Sequence, residues 1–288
     1  MRGLEKLKEK LPNYQGKRIF KLLIIFAIMF VSSILFQLII DSLPRVFINV
    51  AALQIIAPFT PIFGSIIVLF IGFMLIWAFW RSRDKYLSKY GELAYQKAIK
   101  FGVFGLPMVI SVIIHSFFPT DLIVQYQDTH NISWYLGTPI TDIFFNSSIV
   151  FFSIRLVIWI IFIGLGMAVV WKALKIFGID YMGLVYVYYP KESTLQDHEI
   201  YSILRHPTYH TIMLFNIGSI FLRFSIYSVI YFCIFMIGIN LHLKLVEEKE
   251  LIQRFGEQYI KYKKNVPAFF VRFRDLKRYL SIIFKKSP

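Results

Sequence analysis

Apolar positions in this chain fall in long, nearly unbroken runs, and only short polar stretches separate them. The first run, 19–40, follows a basic stretch and stops at Asp41. It exceeds the apolar core of a signal peptide and no small-residue cleavage site follows, so it predicts a retained membrane helix. A second run, 62–80, ends with Trp77 and Trp80, residues suited to a membrane interface. Between them, 44–61 is apolar but broken by Pro58 and Pro61, which fits a short re-entrant or interfacial piece. Run 101–118 contains Pro107 and predicts a kinked helix; run 149–171 carries Arg155 near one end. Runs 208–222 and 226–243 flank Arg223-Phe224-Ser225 and predict a helical hairpin whose first arm is short for a crossing. The expected fold is all-α: a polytopic membrane bundle of about six transmembrane helices.

Composition removes the soluble alternatives. Hydrophobic residues make up 57% of the chain and charged residues 17%, against about half and about a quarter in ordinary globular domains. A net charge of +15 would otherwise suggest a nucleic-acid partner, but the apolar runs put the excess Lys and Arg into loops and tails, so no nucleic acid is expected. The one cysteine, Cys233, excludes a disulfide framework and a cysteine-based zinc site. Six Lys/Arg lie in 1–18, six in 81–100 and twelve in 244–288, against one in 41–61 and none in 119–147. By the positive-inside rule both termini are cytoplasmic and 119–147, with Asp121, Asp128, Asp142 and the glycosylation sequon at Asn131, faces the other side. Arg155 and Arg223 then sit at outer helix ends, where long side chains snorkel. His115 reads as a satisfied interfacial histidine. After Pro267, the spacing of Phe269, Phe273, Leu276, Leu280 and Ile283 among basic residues predicts an amphipathic segment lying on an anionic membrane surface.

Chemistry-bearing residues concentrate in the last hundred positions. One cluster, Tyr201 to His210, precedes the hairpin. Pro207 fits the first turn of a helix, which pushes His206 out of helical geometry and lets its ring face a cavity. The same residues fit an interfacial cap in which Arg205 and His206 touch lipid phosphates. The second cluster leaves the hairpin. Asn240, Lys244 and Glu247, at i, i+4 and i+7, share one face of an α-helix. Taken alone, an ordinary solvated helix with a Lys244–Glu248 surface pair is the simpler explanation of them. The hairpin brings the two clusters together at one membrane boundary. No Gly-rich phosphate loop and no metal-ligand pair at helical spacing accompanies them, which points to a cationic or mixed-charge cofactor.

Tyr201, Arg205-His206-Pro207-Thr208-Tyr209, Glu247-Glu248, Phe255-Gly256, Tyr259, Tyr262 and Val266-Pro267 occur in an order and spacing that resemble the isoprenylcysteine carboxyl methyltransferase family over about residues 178–267. The resemblance implies an integral membrane enzyme that uses S-adenosyl-L-methionine. It divides the chain into four N-terminal spans (1–172), a catalytic region (173–267) and a basic tail (268–288). Carried over by position, cofactor contacts fall on Ser193, Thr194, Leu195, Gln196, Tyr201, His206, Pro207, Thr208, Tyr209 and Glu247, with Tyr186 nearby. Arg205 and Glu247 would be catalytic. Leu243 stands where the family carries the Arg that grips a substrate carboxylate, with Lys244 beside it, so these two are the expected substrate contacts. Glu199 replaces a family Gly. The implied acceptor is a lipophilic small molecule or a prenylated substrate, reached among membrane lipids. NADPH-dependent sterol reductases share a similar C-terminal architecture, but Glu247-Glu248 and the lack of a Gly-Asp pair after Tyr209 separate this chain from them. A non-catalytic member of the fold is the remaining alternative.

Overall fold

In hydrocarbon, backbone N–H and C=O groups have no water to bond, so an apolar run closes its hydrogen bonds within a helix. The computed structural model describes residues 3–117, 132–145 and 149–284, and among these there are helices and no strand. The N-terminal part contains α1 (Leu4–Glu9), α2 (Ile19–Val46), α3 (Ala51–Ile56), α4 (Thr60–Arg81), α5 (Arg83–Tyr90) and α6 (Ala94–Phe117). Two short helices follow, α7 (Ile132–Gly137) and α8 (Ile140–Phe145), then the long α9 (Ile149–Phe177) and the short α10 (Ile179–Met182) and α11 (Val185–Tyr188). The C-terminal part is the hairpin of α12 (Pro207–Arg223) and α13 (Ile226–His242), followed by α14 (Glu248–Phe255), α15 (Glu257–Asn265) and α16 (Leu276–Phe284).

Five continuous helical stretches, Gly16–Val46, Ala51–Arg81, Arg83–Phe117, Ile149–Phe177 and Ile226–Phe255, are long and apolar enough to cross a membrane. The 17-residue α12, expected as a short sixth crossing, is not among these five and runs antiparallel to α13. This is a multi-pass membrane protein. Lipid offers apolar side chains no hydrophobic gain on helix association, so close packing and polar contacts must hold the bundle. A Cβ on Gly166 would lie 2.6 Å from the Phe215 ring, and one on Gly105 would lie 2.8 Å from the Gly72 carbonyl. These glycines let α9 meet α12 and α4 meet α6 at backbone distance. Ser219 donates to the Ser116 carbonyl at 2.6 Å, and Thr211 to that of Gly166 at 3.2 Å.

The bundle has two distinct ends. At one, α1 is tied to the segment after α11 by Lys6 and Lys10, each 3.0 Å from Glu192. Burial of the Glu192 carboxyl is more than offset by these two lysines, which hold its pKa below the usual range. Helix α16 lies at the same end, with Tyr279 and Ile283 buried among Val169, Ala173, Ile176 and Ile203. At the other end, Phe224 turns the hairpin with φ +49°, and its carbonyl accepts the Ile140 N–H.

Several expectations are corrected. Helix α2 does not stop at Asp41 but continues through Pro44 to Val46, because Asp41 is buried and bound to His115 at 2.8 Å. His115 is satisfied as expected, yet it is buried in the bundle rather than interfacial. Arg155 does not snorkel: it is buried, bonded to Thr141 at 2.9 Å and 3.6 Å from Asp142. Arg223 is only 2% exposed and also stays inside. The tail is not a free surface helix. Its predicted apolar stripe is split, with Phe269 and Ile283 buried while Phe273 is 97% exposed. Asp121, Asp128 and Asn131 lie outside the described residues.

Candidate functional site

The site is built where α12 begins and α13 ends. Pro207 occupies the first turn of α12, and His206 precedes it with φ −126° and ψ 72°, the non-helical geometry a following proline imposes. The far end of the motif explains how that loop is held. The Arg205 and His206 N–H groups donate to the Pro267 and Ala268 carbonyls at 3.0 and 2.8 Å. His210 donates from Nδ1 to the Phe269 carbonyl, which leaves Nε2 to accept the Tyr279 hydroxyl, both at 2.7 Å. Val266-Pro267 therefore belongs to a strap that closes over the Arg-His-Pro turn. Gly256 joins α14 to α15 at φ +55° and ψ −135°, a conformation that side chains exclude. Glu199 has φ +47°, so the family glycine it replaces marks a left-handed position.

Helix α13 does not continue with α-helical spacing past His242. Leu243–Glu247 is a π turn, not α-helix. In an α-helix, residues five apart lie about 140° from each other; a π turn bonds i to i+5 and brings them toward one face. His242 and Glu247 both line the central cavity as a result, while Lys244 is exposed and Leu243 packs against Met213, Ile239 and Phe269. Asn240 turns its amide onto the Met236 carbonyl. The shared face of Asn240, Lys244 and Glu247 does not form. Nor does a Lys244–Glu248 surface pair, because Glu248 is buried among other partners.

Glu248 is the hub of a buried network. It accepts both hydrogen bonds of Arg205 Nη1 at 2.7 and 3.0 Å, the Tyr259 hydroxyl at 3.0 Å and Lys263 Nζ at 2.7 Å. His206 bridges the glutamates, with Nε2 2.9 Å from Glu248 and Nδ1 3.3 Å from Glu247. Burial disfavours a charged His206, but the two carboxylates outweigh it and raise its pKa above the usual value. The imidazolium can then donate from both nitrogens. Tyr209 donates to Glu247 at 2.7 Å, and Tyr262 donates to the Tyr201 carbonyl at 2.6 Å.

These groups open on a cavity of about 350 Å³ with two chemically different halves. Thr194, Gln196, Tyr201, Arg205, His206, Thr208, Tyr209 and Glu247 line the polar half. Phe26 of α2, Phe73 and Ile76 of α4, and Val103 and Leu106 of α6 line the apolar half. Leu195, Pro207 and Tyr186 also contribute to the wall. Ser193 lies apart, in a neighbouring cavity of about 290 Å³ that shares Tyr186, Thr194 and Gln196. There Arg254 bonds the Ser193 hydroxyl at 3.3 Å and stacks over the Tyr186 ring at 4.6 Å. Of the expected site residues, Leu243, Lys244 and Ser193 are thus outside the central cavity and the rest line it. The first four spans, which read as generic membrane helices, supply the apolar half. His242 and Trp80 went unremarked as site residues, although a histidine inside an apolar run was a signal available in the sequence.

A carboxylate beside tyrosine rings and side-chain hydroxyl and amide groups fits a ligand carrying positive and mixed charge. The apolar half fits a hydrocarbon chain. Residues 154–258, from α9 to the start of α15, match the family model described as phospholipid methyltransferase. No curated protein and no solved structure matches the chain.

Proposed function

Because residues 154–258 match the phospholipid methyltransferase family model, we propose that the chain transfers a methyl group from S-adenosyl-L-methionine to a lipophilic acceptor at the membrane–cytosol boundary. The observation that carries this reading is one cavity with a carboxylate-bearing polar half and an apolar half walled by membrane helices. When bound, the cofactor supplies an electrophilic methyl group on a sulfonium. Glu247 would hold its cationic amino group, Thr194 and Gln196 would hydrogen-bond its polar edges, and Tyr186, Tyr201 and Tyr209 would enclose its rings. Glu248, Arg205 and His206 keep Glu247 and Tyr209 in place, so polar contacts are set before either reactant arrives. Phe73, Ile76, Val103 and Leu106 exclude water and admit an apolar chain from the lipid side.

The acceptor is lipophilic, but this cavity does not favour a prenylcysteine carboxylate. Leu243 is buried away from it and Lys244 is on the surface, and Arg205 is already committed to Glu248. Positive charge at 1–18, 81–100 and 244–288 supports placing the site and both termini on the cytoplasmic side. The test is binding of labelled S-adenosyl-L-methionine to purified protein, with NADPH as comparison. Saturable binding of the first and none of the second is expected; the reverse would overturn the reading.

A further inference from the structure

His242 sits where the two halves of the cavity meet. Its ring stacks at 6.2 Å on Phe73, and Trp80 and Tyr209 stand edge-on at 6.3 and 6.4 Å. It lines the cavity with Glu247, and neither of its ring nitrogens has a hydrogen bond among the described residues. Every other charged side chain in the lining is occupied: Arg205 and His206 by Glu248, and Glu247 by His206 and Tyr209. An imidazole left open to the cavity beside the π turn is therefore a polar group that an entering apolar molecule meets.

We propose that His242 is a catalytic residue that contacts the methyl acceptor and takes up the proton that an amine or hydroxyl acceptor sheds. This rests on the methyl-transfer reading above. A carboxylate or thiolate can attack a sulfonium methyl without a base, whereas an amine or hydroxyl must lose a proton. A buried carboxylate would also need a cation, and the lining leaves none uncommitted. In the step, the acceptor nitrogen or oxygen forms its bond to the methyl carbon. The carbon–sulfur bond breaks with its electron pair on sulfur. The acceptor proton passes to a free nitrogen of His242 and leaves through the polar half.

The charged and titratable groups facing His242 are Glu247 on the following turn and His206 and Tyr209 on the α12 side. Proton uptake needs the neutral imidazole, so turnover should carry a histidine limb in its pH profile. The experiment uses full-length protein in lipid nanodiscs, with His242→Phe and the more conservative His242→Gln. The probes are dodecylamine, dodecanol and a farnesylcysteine analogue. Labelled S-adenosyl-L-methionine should bind both variants within about twofold of the parent. Cofactor-free dodecylamine binding, read by tryptophan fluorescence, should weaken about tenfold. Turnover on the amine or alcohol should fall about a hundredfold or more, the scale of a lost general base, and the histidine limb should vanish. Failure of the parent to bind S-adenosyl-L-methionine would sink the functional reading, while the dodecylamine measurement would still decide the contact. Unchanged dodecylamine binding in His242→Gln, or farnesylcysteine as the preferred acceptor with unchanged turnover in that variant, overturns the proposal.

Discussion

At one end of the bundle, Arg205, His206, Lys263, Glu247 and Glu248 neutralise one another at 2.7–3.3 Å. At the other, Arg223 is as deeply buried, yet none of its three guanidinium nitrogens has a hydrogen bond among the described residues. Its neighbours are the rings of Tyr227 and Tyr231, each 5.8 Å away, and Asp41 in the same region bonds through one oxygen to His115. A buried charge is costly wherever it sits. The difference teaches that depth alone does not mark a functional site: the end with the interlocked network is the one that opens on the two-part cavity.

The largest effect should come from the hub. Glu248→Gln leaves Arg205 buried without its counter-charge and should destabilise the protein by about 3–5 kcal/mol, read by thermal unfolding in detergent. Asp41→Asn, which touches one partner rather than four, should cost clearly less; equal losses would erase the contrast between the ends. The hub also gives a pH signature. The folded pKa of His206 is raised, so its stabilising contribution is complete below its unfolded value near 6.5 and declines as pH climbs through the raised value. Melting temperature followed upward from pH 6 should show this loss, and Glu247→Gln should flatten it.

Next comes Glu247→Gln itself. It removes a charge-assisted ligand contact worth about 1.5–3 kcal/mol and should weaken cofactor binding about ten- to a hundredfold, measured by labelled-ligand binding, with folded yield near normal. His206→Ala is not its equivalent. His206 bridges both glutamates, so that variant should lose folded yield as well. Arg223→Met tests the opposite end: replacing a buried, unbonded charge with an apolar side chain should raise stability by about 1–2 kcal/mol with cofactor binding unchanged. The smallest effect separates backbone from charge. Glu199→Gly relieves a left-handed residue and should add about 1 kcal/mol of stability, seen in the same unfolding assay.

Much of this was legible in the residues. The apolar runs located the spans, because hydrocarbon forces each into a helix, and Arg205-His206-Pro207 with Glu247-Glu248 located the polar half of the cavity. Three things were not legible, for physical reasons. A 3.6-residue period put Asn240, Lys244 and Glu247 on one face, where only Glu247 reaches the cavity, since a π turn leaves no periodic mark in composition. The apolar wall drew on Phe73 and Trp80, which look like lipid-facing residues until tertiary packing folds them inward. Arg155 and Arg223 were expected to reach for water because the sequence shows distance to a helix end, but not which face is turned toward neighbouring helices.

The strap has a consequence for how the protein is made. Arg205 and His206 are held by carbonyls at 267 and 268, and His210 by Phe269 and Tyr279. During synthesis, the helices that wall the apolar half emerge and insert first, and the loop that completes the polar half has no support until some sixty further residues have left the ribosome. The nascent chain therefore passes through the membrane stage with a greasy, half-built pocket, and ligand capture becomes the last event of biogenesis.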